Sequence, residues 1–373
     1  MEGRARFFHR WILKRKHMDF RLPKMLAVIA MLPALQACNP AYYASSVGGH
    51  IKIVSSSQPV DRLLERRDTN PDLKERLAIS REIRNYASEQ LALPDNNSYR
   101  RYVDTGRDYV SWAVYSSPEF SVGLNTWCFP IYGCVPYRGY FSEQAAEKFA
   151  ETLRKQDMDV YVGGVPAYSS LGWFDDPLMN TMVIRGDVYL AGVVFHELAH
   201  QRVYVQNDSN FNEAFAVTVE ENGVEKWLRE RGEDAVLKDY EAGLRRYKDF
   251  QILVAETRQE LASIYASDIS VEEMRTAKAR EIERLRARYH QLRNGKWKGY
   301  RGFDRWFDEP INNAKLATIS VYGDLVSDFK RLFDLCGGNY ERFYGAVEYL
   351  AQVEKSEREE ALQTASSCMA GGS

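Results

Sequence analysis

A chain of 373 residues that is 45% hydrophobic, 13% aromatic and 27% charged has apolar material for one large domain or two, which excludes disorder and collagen-like repetition. Its 50 lysines and arginines against 52 acids leave a net charge of −2, so no nucleic-acid partner is expected.

At the start, a basic stretch (Arg4, Arg6, Arg10, Lys14, Arg15, Lys16) runs into the apolar M-L-A-V-I-A-M-L-P-A-L-Q-A. This is the outline of a signal peptide over residues 1–37, and its apolar centre falls short of the roughly 20 residues a spanning helix needs. Met18 is a more usual start, which makes residues 1–17 a candidate mis-assigned extension. The segment ends in Leu35, Gln36, Ala37 and Cys38, which resembles the bacterial lipobox, and Asn39 resembles its outer-membrane version. The expectation is an outer-membrane lipoprotein facing the periplasm, held by a lipid on Cys38. The alternative is a soluble periplasmic protein cleaved near Ala37. Apart from Cys38 there remain Cys128, Cys134, Cys336 and Cys368, an even number that permits three disulfide connectivities in an oxidising compartment. Cys128 with Cys134 is the local pairing, and buried free thiols are the alternative.

Residues 38–58 read as a lipidated, Ser/Gly-rich tether, and 59–373 as a single domain. From Val60 to about Leu93 the apolar spacing predicts two helices broken at Asn70 and Pro71. Between Tyr99 and Tyr140, the runs D-Y-V-S-W-A-V-Y and F-S-V-G-L-N-T-W predict strands of a small, partly antiparallel sheet. Ser142 to Gln156 reads as a capped helix and D-V-Y-V-G-G as a strand, followed by the loop A-Y-S-S-L-G-W-F-D-D-P. From Val188 on the pattern is mainly helical. Its most charged part, about 234–293, reads as a long helical hairpin turning near Ser267 to Ser270, with both signs interleaved on a solvated face.

Two of the chain's six histidines fall in Phe195-His196-Glu197-Leu198-Ala199-His200, an H-E-x-x-H on an apolar helix. Spacing of four puts both imidazoles on one face, one turn apart, so that both can reach one metal while Glu197 reaches a water on it. Beyond the linker V-Y-V-Q-N-D-S-N-F, the string Asn212-Glu213-Ala214-Phe215-Ala216 resembles the third-ligand motif of thermolysin-like zinc peptidases, the gluzincins. That resemblance implies Glu213 as third ligand, and two histidines with a glutamate form a catalytic kind of Zn2+ site. Where those enzymes place an acid to orient the histidines this chain has Val217, and Glu220 is the nearest replacement on that face.

The strings W-C-F-P-I-Y-G-C-V-P-Y-R-G-Y-F, A-Y-S-S-L-G-W-F-D-D-P-L, F-H-E-L-A-H-Q, F-N-E-A-F-A and I-N-N-A-K-L together resemble a bacterial family known as predicted aminopeptidases, over roughly residues 40–360. The resemblance implies a periplasm-facing lipoprotein with a zincin-like core. The expected chemistry is hydrolysis of peptide bonds by a zinc-activated water, with Glu197 as general base. Related peptidases often stabilise the oxyanion with a more C-terminal Tyr or His, which points to Tyr322. Tyr137, Arg138 and Tyr140, with the stretch Tyr168 to Trp173, are candidate cleft walls. An aminopeptidase also needs an acid for the substrate ammonium, and Asp175, Asp176, Glu220 and Glu221 are candidates. The expected fold is α+β and mostly helical. The alternatives to an aminopeptidase are an endopeptidase or amidase acting on cell-wall peptides, and a non-catalytic lipoprotein scaffold.

Overall fold

The computed structural model describes residues 40–129, 133–319 and 323–368. The segment read as a signal peptide, Cys38 and Tyr322 therefore lie outside the described residues. The chain divides into two units, 1–47 and 48–373. Of the first, residues 40–47 are described, and they belong to helix α1 (Pro40–Ser56). The segment read as a tether is thus helical over most of its length, and Ile53 within it is buried.

After α1 come β1 (Gln58–Pro59), α2 (Val60–Glu65) and α3 (Pro71–Glu89). The break expected at Asn70 and Pro71 is a helix start: the Asn70 side chain accepts from the backbone N–H groups of Asp72 and Leu73, and Pro71 takes the first helical position. Next are β2 (Arg101–Val103), β3 (Ser111–Pro118), β4 (Trp127–Phe129), β5 (Gly133–Val135), β6 (Arg138–Tyr140), α4 (Glu143–Arg154) and β7 (Met158–Val165). Then follow β8 (Leu178–Met179), α5 (Asn180–Val183), α6 (Asp187–Arg202), α7 (Ser209–Glu230), α8 (Asp234–Tyr265) and α9 (Val271–Asn294). The described chain closes with α10 (Asp304–Asp308), α11 (Asn313–Ala317), α12 (Gly323–Leu335), α13 (Tyr340–Gln352) and α14 (Lys355–Gln363).

The molecule is α+β and mostly helical, and among the described residues there are three small sheets, ordered β1-β2-β8, β6-β3-β7 and β4-β5. In the second, β3 pairs antiparallel with both neighbours, Trp112 opposite Tyr140 and Gly164. Its core side holds Trp112, Val114 and Val160 against Ala146 and Ala150 of α4, whose Ser142 cap accepts from the Ala145 N–H. Cys128 and Cys134 face each other across β4 and β5 and form a disulfide, and a second joins Cys336 to Cys368. The expected strand F-S-V-G-L-N-T-W is a correction: only its Trp127 is in a strand. Its apolar residues serve the hairpin instead, with Phe120 packed edge-on to Tyr265 and the Val122 carbonyl accepting from Arg258.

The hairpin, α8 and α9, turns at 266–270, where Ser270 and Glu273 form a reciprocal capping box. It holds a separate apolar core of Phe250, Leu253, Leu261, Leu285, Tyr289, Trp297 and Phe307. The largest core gathers α3, α6, α7, α12 and α13 around Phe195, Leu198, Phe215, Trp227, Phe329 and Phe343. Within it α6 lies between α3 and α7, and α7 is backed by α12, so the H-E-x-x-H helix is fixed on two sides. Among the described residues no helix is long and apolar enough to cross a membrane.

Candidate metal centre

Helix α6 is apolar nearly all round because it is buried on most faces, with Leu190, Ala191, Val194, Phe195, Leu198 and Ala199 all in the core. On its remaining face His196 and His200 stand one turn apart, their Nε2 atoms 3.2 Å from each other and their rings crossed at 82°. Glu213, on the first turns of α7, brings Oε2 to 3.4 Å from His196 Nε2 and Oε1 to 3.6 Å from His200 Nε2.

The linker sets this register. Asn212 accepts from the Val205 N–H and donates through Nδ2 to the Val205 carbonyl, closing the turn with two bonds from one side chain. Asp208, where α7 begins, is held by a buried ion pair with Arg358. The Asn of N-E-x-x-A therefore builds the corner, and the Glu beside it inherits the position.

Two turns further along α7, Glu220 Oε2 lies 2.9 Å from His196 Nδ1. A carboxylate there accepts a hydrogen bond from Nδ1–H, and in that tautomer the Nε2 lone pair faces His200 and Glu213. Glu220 thus supplies the orientation that Val217 cannot. Gly192 leaves room for this approach: a Cβ on it would stand 3.0 Å from Glu220 Oε1, so the carboxylate would have to shift.

Two imidazoles and three carboxylates, Glu197, Glu213 and Glu220, crowd one half-buried site. Burial holds His196 down, yet its hydrogen bonds to Glu213 and Glu220 carry it well above the usual histidine range. Burial and the charge of His196 together hold His200 down, to about 4. Burial pushes Glu213 up, but the His196 bond together with the charges of His200 and His196 outweighs it, and Glu213 sits below the usual carboxylate range. Glu197, which makes no bond to either imidazole, is raised by burial to about 7, with His196 pulling it down and Glu213, Asp176 and Glu220 pushing it up. Carboxylates concentrated in a poorly solvated place favour a cation.

The donor set fits one. The ligand atoms of His196, His200 and Glu213 all lie within 4.8 Å of one another. Two ligands each ~2.1 Å from a tetrahedral ion would stand about 3.4 Å apart, close to all three separations above. The arrangement can hold a metal ion and is compatible with zinc.

The loop at residues 166–177 packs beside the last turn of α6 through Gly172 and Gln201. Asp176 Oδ2 accepts from the Ser169 hydroxyl at 3.1 Å and the Ser170 N–H at 2.8 Å, and its carbonyl accepts from the Tyr99 N–H at 2.6 Å. Gly172, at φ 81°, lies against Gln201 on the last turn of α6, where a Cβ would meet Gln201 Cγ at 3.5 Å. Tyr168 meets His50 Nδ1 at 2.9 Å.

The remaining expected residues fall apart from this cluster. Asp175 is exposed and Glu221 is paired with Lys330. Tyr140 packs on Phe149 and Tyr137 lies beside Tyr115, both contacts of the β6-β3-β7 sheet. Three residues beside the site carried no expectation. Tyr204 packs edge-on to His200 at 6.2 Å between ring centroids, just past the end of α6, where the extended Val203 breaks the helical spacing that would have pointed to it. Tyr99 and His50 gave no local signal, because each meets the site through long-range folding.

The match to known proteins spans the same architecture. A family model described as "Putative aminopeptidase" covers residues 41–362, nearly the whole described chain. The chain belongs to that family. No curated protein and no solved structure matches it. In this member of the family the strings Phe195–Gln201 and Phe211–Ala216 build the metal-competent cluster, and the loop within Ala167–Leu178 packs against Gln201 beside it.

Proposed function

We propose that the protein is a zinc-dependent metallopeptidase that acts as an aminopeptidase, with His196, His200 and Glu213 holding the metal and Glu197 as general base. The observation that carries this is the convergence of His196, His200 and Glu213 beside a Glu197 that ligates nothing and sits in the second position of H-E-x-x-H. A closed structural site has no need of that carboxylate.

Zinc, when bound, polarises the scissile carbonyl and makes an attacking water more acidic. Glu197 takes a proton from that water and passes it to the leaving amine, a task suited to a group whose affinity for protons lies near neutrality. Glu220 keeps His196 in one tautomer and one orientation through the cycle. The aromatic and apolar surroundings of α6 keep bulk water from the reacting groups. The same reading puts the enzyme on the periplasmic side of the outer membrane through Cys38. The lipobox-like Leu35–Cys38 supports that placement, and the two disulfides fit an oxidising compartment.

The test is zinc content by mass spectrometry, with peptide hydrolysis in parallel. One zinc per chain, lost in His196→Ala and Glu213→Ala and kept without activity in Glu197→Gln, is the expected result. A purified chain that takes up no zinc and cleaves no peptide would end this reading.

A further inference from the structure

Resting on the metallopeptidase reading, we propose that Tyr204 is a further catalytic residue, whose hydroxyl donates a hydrogen bond to the carbonyl oxygen of the scissile bond as negative charge develops on it.

The groups already placed leave that task open. Glu197, Glu213 and Glu220 are carboxylates, which accept. His196 Nδ1 is engaged by Glu220 at 2.9 Å, and the Nε2 atoms of His196 and His200 face each other and Glu213. His200 Nδ1 is buried. The cluster is therefore rich in acceptors and has no donor to spare, whereas the carbonyl oxygen of an amide under attack gains charge and needs one. Zinc, when bound, supplies part of that stabilisation. A donor fixed in place before the charge appears adds to it without reorganising, and removing one such donor from an acyl-transfer site lowers kcat about 10²–10³-fold.

The chain leaving α6 carries Tyr204 to the cluster and fixes it there. Val203 is extended, at φ −138° and ψ 127°, and its N–H is bonded to the Ala199 carbonyl at 3.0 Å. Side chains along an extended segment alternate between two sides. Val203 and Val205 accordingly pack against the largest core, and Tyr204 between them is turned outward, 47% exposed. Its ring meets His200 edge-on, 6.2 Å between centroids and 78° between planes. The next residue, Val205, is bonded through both its N–H and its carbonyl to the side chain of Asn212, at 2.8 and 2.7 Å, and Asn212 immediately precedes Glu213. Tyr204 is thus tied to one metal ligand by its ring and to a second by its backbone neighbour. Among the described residues nothing hydrogen-bonds to its hydroxyl. A phenol that keeps its proton at neutral pH, is open to solvent and stands on a backbone fixed on both sides is a donor available to a substrate seated at these ligands.

Tyr204→Phe separates this role from packing, because it keeps a ring against His200 and removes only the hydroxyl. The full chain and the variant are compared for zinc content, for steady-state hydrolysis of a free-amine peptide, and calorimetrically for binding of a phosphinic peptide, whose tetrahedral centre carries a charged oxygen in place of the attacked carbonyl. The expected result is a kcat about 10²-fold lower with KM and zinc content nearly unchanged, and a phosphinic peptide bound more weakly by a similar factor. Tyr204→Ala, which removes the ring as well, should lose no less activity than Tyr204→Phe. An unchanged kcat or an unchanged phosphinic affinity in Tyr204→Phe would overturn the role. A loss of zinc in Tyr204→Phe that matches the loss of activity would overturn it too, leaving Tyr204 as packing for His200. A parent chain that takes up no zinc and cleaves no peptide overturns the metallopeptidase reading and this role with it, whereas an active parent beside an unaffected Tyr204→Phe overturns this role alone.

Discussion

His196 depends on Glu220 more than on its neighbours in the motif. Its Nε2 faces the ligand cluster only while Nδ1 has an acceptor, and that acceptor is one carboxylate oxygen at 2.9 Å. Glu220→Ala is therefore expected to lower zinc affinity about 10–100-fold with the fold intact, read by competition against a chelating dye. Unchanged affinity would mean that His196 is oriented by packing alone. Residues differ sharply in how far sequence exposes them at this scale. The two histidines, Glu197 and Glu213 are spaced along two helices, so helical geometry alone brings them together. Asp176 and Tyr99 meet only through the fold, the Asp176 carbonyl accepting from the Tyr99 N–H at 2.6 Å, and nothing near either in the chain announces the other.

At the scale of elements, the placement of α6 against α7 rests on absent side chains. A Cβ on Gly192 would stand 3.0 Å from Glu220 Oε1, and one on Gly223 would be 2.8 Å from Leu91 Cδ1 and 2.9 Å from Phe195 Cδ2. Both neighbours of Gly223 are fully buried, so Gly223→Ala should cost about 1–3 kcal/mol in chemical denaturation, as overpacking does. Gly192→Ala should instead displace Glu220 and weaken zinc in the same assay as Glu220→Ala, with a smaller loss of stability. If both glycines tolerate alanine with no change, the helices are not limited by this contact. Glycine also explains where the sequence was misleading. Gly48 and Gly49 make residues 38–58 read as a flexible tether, yet a Cβ at Gly49 would run into Phe141 at 2.4 Å, so that glycine permits close packing inside a helix. The hairpin was legible because its apolar spacing is helical and its charges solvated. Its docking was not: Asp159 on β7 accepts from Lys278 at 2.7 Å and from the Asn313 N–H at 2.9 Å, tying α9 and α11 to the sheet. Asp159→Ala leaves the half-buried Lys278 without its countercharge and with only the Glu119 carbonyl to accept from it, and a loss of about 1–3 kcal/mol is expected, with a larger effect on hydrogen exchange in α9 than in α6.

For the molecule as a whole, the two disulfides close loops of very different length, and this decides which one matters. Cys128 and Cys134 are 6 residues apart and join adjacent strands, whereas Cys336 and Cys368 are 32 apart and bracket α13 and α14. Sequence gave an even set of cysteines and one local pair. It could not give the second, whose partners are brought together by packing of α12, α13 and α14. Loop-closure entropy assigns about 2 kcal/mol to the short loop and about 3–4 kcal/mol to the long one. Because α12 backs the helix that carries Glu213 and Glu220, loosening the C-terminal helices reaches the metal ligands through that helix. Cys336→Ser with Cys368→Ser should therefore lower the thermal midpoint more than Cys128→Ser with Cys134→Ser, and should speed zinc release into excess chelator. The reverse order of midpoints, or zinc release unaffected by the long-loop pair, would show that the C-terminal helices are held to α7 by their apolar contacts without help from the covalent link.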